Sequence, residues 1–182
     1  FAKLFSNAHR YIQFAVANQF YMLTASAGVD YYRVIEGLKK DYPRCRDVPG
    51  AGFAAGPCLL KDTMQLSAYS GNQFGLGHSA MLVNEGLPLF LAQHLLPQED
   101  LNHKTVGLLG MAFKANNDDV RSSLSYKLKK AIAPRAKRVL TTDPYVTTDP
   151  ELLPLDVVVR ESDLLVLCAP HAPYRALDTQ GK

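Results

Sequence analysis

The sequence has few cysteines, and they lie far apart. Its 182 residues include three, Cys45, Cys58 and Cys168, which are too few and too widely spaced for a disulfide framework. No CxxC pair with matching histidines occurs, and the five histidines show no metal-ligand spacing, so we expect no metal site and structural or surface roles for the histidines. Cys168 falls in an apolar run and is predicted to be a small core residue. Cys45 could be reactive, but it has no base beside it to activate its thiol.

Long apolar runs are also missing. No run approaches the ~18–20 residues that a membrane-spanning helix needs, and no charged segment followed by an apolar one opens the chain, as it would in a signal peptide. These two absences predict a cytoplasmic protein with no membrane partner.

Positive charge is in only small excess over negative charge. The net charge is +3, and 47% of the residues are hydrophobic, which argues against a disordered chain. The basic residues are scattered, and their densest patches, Lys127 to Lys130 and Arg135 to Arg138, resemble solvated helix faces. We therefore expect no nucleic-acid partner.

The first half of the chain is predicted to be all α-helical. Apolar residues recur at spacings of three and four through the first forty residues, interrupted at Gly28-Val29-Asp30, and a long loop rich in Pro and Gly follows at 41–58. The pattern predicts two helices within residues 1–40, a third over 59–69 and a fourth over about 78–95.

The second half changes to an alternation of strands and helices. Short apolar runs predict buried strands, and the order is strand 105–112, helix 120–133, strand 138–142, a Pro-containing connector and strand 163–169. This order is typical of a doubly wound parallel sheet. The fold class is therefore α plus α/β, with a boundary near 97–104 that separates a helical domain at 1–98 from a Rossmann-like domain at 103–182.

The loop at 41–58 ends in a thiol. Its segment PGAGFAAGPC offers backbone N–H groups with little side-chain bulk, but no Gly-Lys-Ser/Thr follows, so it is not a nucleotide-binding loop of the Walker type. Cys58 stands where the next helix is predicted to begin, and the helix dipole and Lys61 both favour a thiolate there. Asp62 follows one turn later, so the pair could supply a nucleophile and a water-orienting carboxylate. A structural role for the thiol stays open.

The opening helix carries a polar stripe on an otherwise apolar sequence. Lys3, Asn7 and Arg10 are spaced i, i+4 and i+7, so they project from one face. This stripe could line an anionic or hydroxyl-rich ligand, or it could be a solvated helix face.

A second candidate ligand loop follows the first predicted strand. Doubly wound domains bind ligands at the carboxyl ends of their strands, but the segment GMAFKANNDDVR lacks GxGxxG, which disfavours a classical dinucleotide site. Lys114 and Arg121 could meet a phosphate or carboxylate there, and the Asp118-Asp119 pair could orient Arg121 or cap the next helix. An ordinary charged loop is the alternative.

Together these segments resemble a known family. The segments KLFSNAHRYIQFAVANQF, YPR, GFAAGPCLLKDTMQL, GHSAMLVNEGLP, GMAFKANNDDVRSSLSYKL and TDPY, in this order over nearly the whole chain, are similar to the UDP-glucose/GDP-mannose dehydrogenase family. The resemblance implies an NAD-dependent, four-electron oxidation of a nucleotide-sugar C6 alcohol to the uronic acid, through a thiohemiacetal and a thioester. It favours UDP-N-acetylmannosamine as substrate, with UDP-glucose, UDP-N-acetylglucosamine or GDP-mannose as alternatives.

The resemblance also implies roles for single residues. Cys58 matches the nucleophile, Asp62 the carboxylate that orients or deprotonates water, and Lys3 with Asn7 the pair that steadies the developing oxyanion. The positions that match substrate-binding residues are Arg10, Arg44, Phe53, Gly56 and Lys114, and Arg121 matches an arginine near the cofactor. The helix carrying Tyr11 to Phe20 is expected to pair with its twin, giving a homodimer.

The sequence departs from the family in two respects. Family members begin with a complete NAD-binding domain, which this sequence does not show, and its Rossmann-like domain at 103–182 stops soon after the third predicted strand and is expected to be truncated. We therefore expect a fragment that does not turn over by itself. The alternative function is a non-catalytic module for dimerisation and nucleotide-sugar binding.

Overall fold

The computed structural model of the chain describes residues 1–94 and 101–179. They form two compact units: the first is Phe1–Ala54 with Cys58–Leu87, and the second is Ala55–Pro57 with the residues from Pro88 onward. Half of the predicted boundary at 97–104 falls on residues outside the described ones, and the predicted domain limits stay predictions.

Four helices account for the first half of the chain. They are α1 (Ala2–Ser26), α2 (Tyr31–Lys39), α3 (Leu59–Tyr69) and α4 (Gly75–His94). A single 3-10 turn, Pro43–Cys45, lies in the loop between α2 and α3. The predicted break before α2 is confirmed: Gly28 has a φ of +67°, and the Asp30 carboxylate caps α2 by accepting from the N–H of Tyr32 at 2.9 Å.

The core of the first unit combines apolar residues with two buried amides. Tyr11, Ala15, Ala54 and Ala80 form the apolar cluster. Beside it the fully buried Asn18 donates to Asn84 Oδ1 at 2.9 Å, and Asn84 donates to the Tyr11 carbonyl at 3.0 Å. Asn18 Oδ1 accepts from the Gly52 N–H at 2.8 Å, so these amides attach the Gly-rich loop to α1 and α4.

The second unit is built on a three-stranded parallel sheet. Its elements are β1 (Thr105–Leu109), α5 (Leu124–Ile132), β2 (Arg138–Thr142), α6 (Leu155–Glu161), β3 (Leu164–Leu167) and a 3-10 turn at Ala172–Ala176. The strand order is β2-β1-β3. All five residues of β1 are buried, as expected for a central strand covered on both faces. The α plus α/β class with a parallel sheet is therefore confirmed.

The missing side chain of Gly107 allows α6 and β3 to pack closely against β1. A Cβ added to Gly107, in the centre of β1, would lie 2.9 Å from Val158 of α6 and 2.8 Å from Leu165 of β3. Only a residue without a side chain fits there.

Several predicted elements differ from the structure. The prediction missed α6, because this helix has only seven residues, starts after Pro154 and buries the adjacent Val158 and Val159, which look like part of a strand. The third strand is shorter than predicted and only partly buried, with Leu167 55% exposed, because β3 is an edge strand among the described residues.

Other boundaries shift by a few residues. The first strand ends at Leu109 rather than 112, and the helix predicted at 120–133 begins only at Leu124, because Ser123 caps it. The fourth helix starts at Gly75, three residues before its predicted start. Within residues 1–94 and 101–179, no helix is both long and apolar enough to cross a membrane.

Candidate active site

The candidate site of the first unit is centred on the carboxylate of Asp62. This side chain lies in the first turn of α3 and is only 1% exposed. Asn7 of α1 donates from Nδ2 to Asp62 Oδ2 at 2.6 Å, and Lys3 Nζ lies 3.3 Å from the same oxygen. Lys61 Nζ lies 3.7 Å from Oδ1. The helical spacing of Lys3 and Asn7 thus directs both side chains at one carboxylate on the neighbouring helix.

These contacts decide the protonation state of Asp62. The hydrogen bond from Asn7, followed by Lys3, lowers the pKa of Asp62 below its ordinary value, although burial acts in the opposite direction. The carboxylate is therefore charged at neutral pH and able to accept a proton or orient a water molecule.

Cys58 is the residue that immediately precedes α3. Its side chain is exposed, and its carbonyl accepts the Asp62 N–H at 2.9 Å, which is the first hydrogen bond of the helix. Cys45 and Cys168 are both partly exposed, so Cys168 is not the fully buried core residue that was expected, although burial of its thiol raises its pKa to about 12. Cys58 is therefore the most exposed of the three cysteines.

Four further candidate residues take different positions. Arg10 is exposed on α1, and Arg44 is exposed in the 3-10 turn. Phe53 is partly buried in the loop. Gly56, in the second unit, is buried with a φ of +109°, and a Cβ there would lie 2.7 Å from the ring of Phe113. Both the backbone conformation and the close ring require glycine at this position.

The loop after β1 carries the remaining two candidates. Lys114 is exposed, with Nζ 5.4 Å from the centre of the Phe113 ring. Arg121 forms a bidentate pair with Asp119, Nη2 to Oδ2 at 2.7 Å, and this arginine lowers the pKa of Asp119. Of the two uses considered for the Asp118-Asp119 pair, Asp119 orients Arg121, whereas Ser123 caps the helix.

One buried pair was missed by sequence reasoning. His171, expected to be structural or at the surface, is fully buried, and its Nε2 lies 2.9 Å from Asp143 Oδ2, whose side chain is also fully buried. Burial raises and four backbone N–H donors lower the pKa of Asp143, and the net result is a pKa below its ordinary value. The donors belong to Met111, Ala112, Tyr145 and Val146. The position of both residues just after predicted strands was the signal that could have found them.

Two family models match the chain. The model of the UDP-glucose/GDP-mannose dehydrogenase family, central domain, matches residues 1–85. The model of the UDP-glucose/GDP-mannose dehydrogenase family, UDP binding domain, matches residues 107–181.

Single relatives are similar over nearly the whole chain. A UDP-N-acetyl-D-mannosamine dehydrogenase of Pyrococcus horikoshii is 34% identical over 98% of this chain and 43% of its own length. An NDP-N-acetyl-D-galactosaminuronic acid dehydrogenase of Ralstonia nicotianae is 26% identical over 97% of this chain and 44% of its own length. The chain thus spans less than half the length of these relatives.

Solved structures give the same result. A UDP-D-ManNAc dehydrogenase structure from Pyrococcus horikoshii matches with a TM-score of 0.85 and 31% identity, over 99% of this chain and 44% of that one. A UDP-glucose dehydrogenase from Pyrobaculum islandicum matches with a TM-score of 0.81 and 28% identity, over 97% of this chain and 44% of that one.

Proposed function

Because the chain belongs to the UDP-glucose/GDP-mannose dehydrogenase family, we propose that it is the thiol-bearing and sugar-binding part of a nucleotide-sugar 6-dehydrogenase. The observation that carries the proposal is the convergence of Lys3 and Asn7 on the buried, charged Asp62, one helical turn from the exposed Cys58. The proposed reaction oxidises the C6 alcohol of a nucleotide sugar to the carboxylate.

The nucleophile of the proposed reaction is Cys58. The C6 alcohol would first lose a hydride and its hydroxyl proton to give the aldehyde. The Cys58 sulfur would then add to the aldehyde carbon while the aldehyde oxygen takes up the thiol proton, so the sugar is held as a thiohemiacetal. Loss of a second hydride from C6 and of the hydroxyl proton would give the thioester. Asp62 then takes a proton from a water molecule, whose oxygen attacks the thioester carbonyl and releases the carboxylic acid and the thiol. A carboxylate that is charged at neutral pH and lies one turn away suits this role.

Lys3 and Asn7 are proposed to stabilise the oxyanion that forms when sulfur or water adds to the carbonyl. Lys3 carries three ammonium protons, and its side chain is 72% exposed although it contacts Asp62. It can therefore keep the Asp62 contact and still donate to a substrate oxygen, which is the preorganised electrostatic role that such sites use.

The hydride acceptor of the proposed reaction is NAD, but the described residues do not form a site for it. In a dinucleotide loop the backbone N–H groups after the first strand face the pyrophosphate. Here the N–H groups of Met111 and Ala112 donate to Asp143 instead, at 2.7 and 2.9 Å. Arg121, proposed to lie near the cofactor, is already paired with Asp119. The 182-residue chain mixed with NAD and a nucleotide sugar should therefore produce no NADH absorbance, and clear turnover would contradict this expectation.

The proposed substrate is UDP-N-acetylmannosamine, as in the names of several relatives. The residues proposed to bind it are Arg10, Arg44, Phe53, Gly56 and Lys114. Calorimetric titration of the chain with UDP-N-acetylmannosamine, UDP-glucose, UDP-N-acetylglucosamine and GDP-mannose ranks these sugars, and tighter binding of one of the other three would correct the substrate.

A homodimer is proposed from the exposed apolar side chains of α1. Tyr11 and Ala17 are buried within the unit, but Val16, Phe20 and Leu23 are 42%, 40% and 60% exposed and stand at helical spacing. Sedimentation velocity of the chain and of a Phe20→Glu, Leu23→Glu variant tests this. A monomeric wild-type chain would contradict the dimer.

Thiol labelling tests the catalytic proposal against a non-catalytic binding module. Cys58 should react with iodoacetamide near neutral pH faster than Cys45, the internal control, and a bound UDP-sugar should protect it. Asp62→Asn should leave the protection by UDP-sugar in place, because the sugar is held by other residues. A Cys58 that reacts no faster than Cys45, or that no nucleotide sugar protects, favours the binding module.

A further inference from the structure

The buried pair Asp143 and His171 has no part in the proposed reaction, yet it joins the ends of all three strands. Asp143 follows β2, and His171 lies in the turn after β3. Their side chains are 0% exposed and are linked by a contact of 2.9 Å between His171 Nε2 and Asp143 Oδ2. Buried polar groups are nearly always hydrogen-bonded, and a buried network whose members are all satisfied makes the structure around it rigid.

The hydrogen-bond partners of His171 determine its tautomer. The backbone N–H of Asn116 points at Nδ1 over 2.9 Å, and an N–H can only donate. Nδ1 is therefore the acceptor, the ring proton is on Nε2, and Nε2 donates to the Asp143 carboxylate. The imidazole thus connects the Asp143 carboxylate to the backbone of Asn116 through two hydrogen bonds.

Asn116 is held by two hydrogen bonds from the segment after β3. Its φ is +53°, in the left-handed region that asparagine adopts more readily than most other non-glycine residues. Its N–H donates to His171 Nδ1, and its side-chain Oδ1 accepts the Ala172 N–H at 2.8 Å. These two contacts fix the position of Asn116 relative to the segment after β3.

The same pair holds the other end of this segment. Asp143 Oδ2 accepts the N–H groups of Met111 and Ala112, so residues 111–116 are attached at one end to Asp143 and at the other to His171. Phe113 and Lys114 lie between the two attachments. The exposed Lys114 is therefore carried on a short segment fixed at both ends.

We propose that His171 is a positioning residue that fixes the segment 111–116 so that Lys114 meets the nucleotide sugar. The inference rests on the proposed substrate contact of Lys114. A charge on a segment fixed in advance binds its ligand without first losing the conformational freedom of a mobile loop.

Two substitutions of His171 separate the positioning role from a merely structural one. His171→Gln keeps a donor able to reach Asp143 but loses the acceptor for Asn116, whereas His171→Asn places its Oδ1 near the former Nδ1 and keeps that acceptor. His171→Asn also removes the donor to the buried Asp143 carboxylate, so it should cost at least as much stability as His171→Gln, and weaker binding by His171→Gln alone could not then follow from lost stability. Loss of one hydrogen bond corresponds to up to about a tenfold change in affinity. Calorimetry with UDP-N-acetylmannosamine should show a Kd about tenfold weaker for His171→Gln and a largely restored affinity for His171→Asn.

A double-mutant cycle tests whether the effect passes through Lys114. Lys114→Ala should weaken binding, and His171→Gln should cost nothing further on the Lys114→Ala background. Tyr126→Phe, which removes a hydrogen bond to Asp149 at another place in the same unit, is the control and should leave the Kd unchanged. Urea unfolding of every variant compares the losses of stability.

A surface variant covers the case in which neither His171 variant folds. Asn116→Ala removes the hydrogen bonds that Asn116 Oδ1 accepts from the Ala172 N–H and the Tyr145 hydroxyl, and it strains the left-handed backbone, while the side chains of Asp143 and His171 are unchanged. It should weaken binding, and only when Lys114 is present.

The outcomes separate this inference from the function on which it rests. Equal affinities for the Gln and Asn variants, or a loss that persists without Lys114, overturn the positioning role and leave the proposed function standing. An unchanged Kd for Lys114→Ala removes the substrate contact and the inference together. If the chain binds no nucleotide sugar at all, the proposed function fails as well.

Discussion

Each of the two units buries a carboxylate, and the groups that keep it charged are of different kinds. In the first unit, Asp62 is surrounded by side chains: the Asn7 amide and the ammonium groups of Lys3 and Lys61. In the second, Asp143 receives four backbone N–H groups and one imidazole, itself fully buried.

The difference lies in how freely the partners can move. Lys3 and Lys61 are 72% and 65% exposed, so they can turn toward a ligand and solvent ions can screen them. The N–H groups of Met111 and Ala112, which follow β1, cannot leave Asp143 unless this end of the sheet moves, and those of Tyr145 and Val146 lie in the turn that begins at Asp143 itself. A carboxylate held by mobile side chains is suited to chemistry, whereas one held by the backbone fixes structure.

The sharpest test of this contrast is Asp143→Asn. The substitution removes the charge that five donors share and turns one oxygen into a further donor, so the free energy of unfolding should fall by ~3–5 kcal/mol, as for other broken buried pairs. Urea unfolding followed by circular dichroism measures it. Asp156→Asn, at a carboxylate 76% exposed beside Arg160, is the control and should cost ~0.5 kcal/mol or less. A loss below ~1 kcal/mol for Asp143→Asn would break the comparison.

Asp62→Asn should lower the free energy of unfolding by less, ~1–2 kcal/mol, because its lysine partners can return to water and only the Asn7 contact is left unfavourable. The same urea measurement applies. A loss equal to that of Asp143→Asn would mean that Asp62 too is mainly a structural group.

Acid should reduce the contribution of both carboxylates to the stability of the fold. Both have a pKa below the ordinary value, so each stabilises the fold fully above the unfolded pKa of about 3.9 and loses this contribution as the pH falls through the lower folded pKa. The free energy of unfolding should decline as the pH falls below about 4, and less steeply in Asp62→Asn. An unchanged slope in that variant would show that the pKa of Asp62 is not lowered by folding.

The smallest effects concern the lysines. Lys3→Met should raise the pKa of Asp62 more than Lys61→Met does, because Lys3 also hydrogen-bonds to the carboxylate, whereas Lys61 is farther away. Each should change stability by less than ~0.5 kcal/mol, as exposed ion pairs do. Carbon NMR of the Asp62 carboxyl follows the titration, and added salt should reproduce part of the shift. If added salt also shifted the pKa of Asp143, the two carboxylates would not differ in how strongly solvent ions screen their partners.

The sequence predicted those features that depend on local spacing. The bounds of α3 and β2 agree with the prediction, and the spacing of Lys3 and Asn7 indicated a shared face. That this face meets Asp62, 55 residues after Asn7, could not be derived from spacing, since it depends on how α1 and α3 pack. The pair Asp143 and His171 was missed for the same reason: its members are 28 residues apart and meet only because parallel strands end at one edge.

The parallel sheet described above also has a kinetic consequence. In the described sheet, Thr105 pairs with Arg138 and Val106 pairs with Leu164 in parallel register. A tight turn can join only antiparallel strands, so it can connect neither of these two strand pairs. Each pairing must first close a long stretch of chain, whereas α1 to α4 can form from contacts within a few residues. A nascent chain would thus acquire its helices early, while β1 must wait for β2, and later for β3, to emerge before it can pair with them.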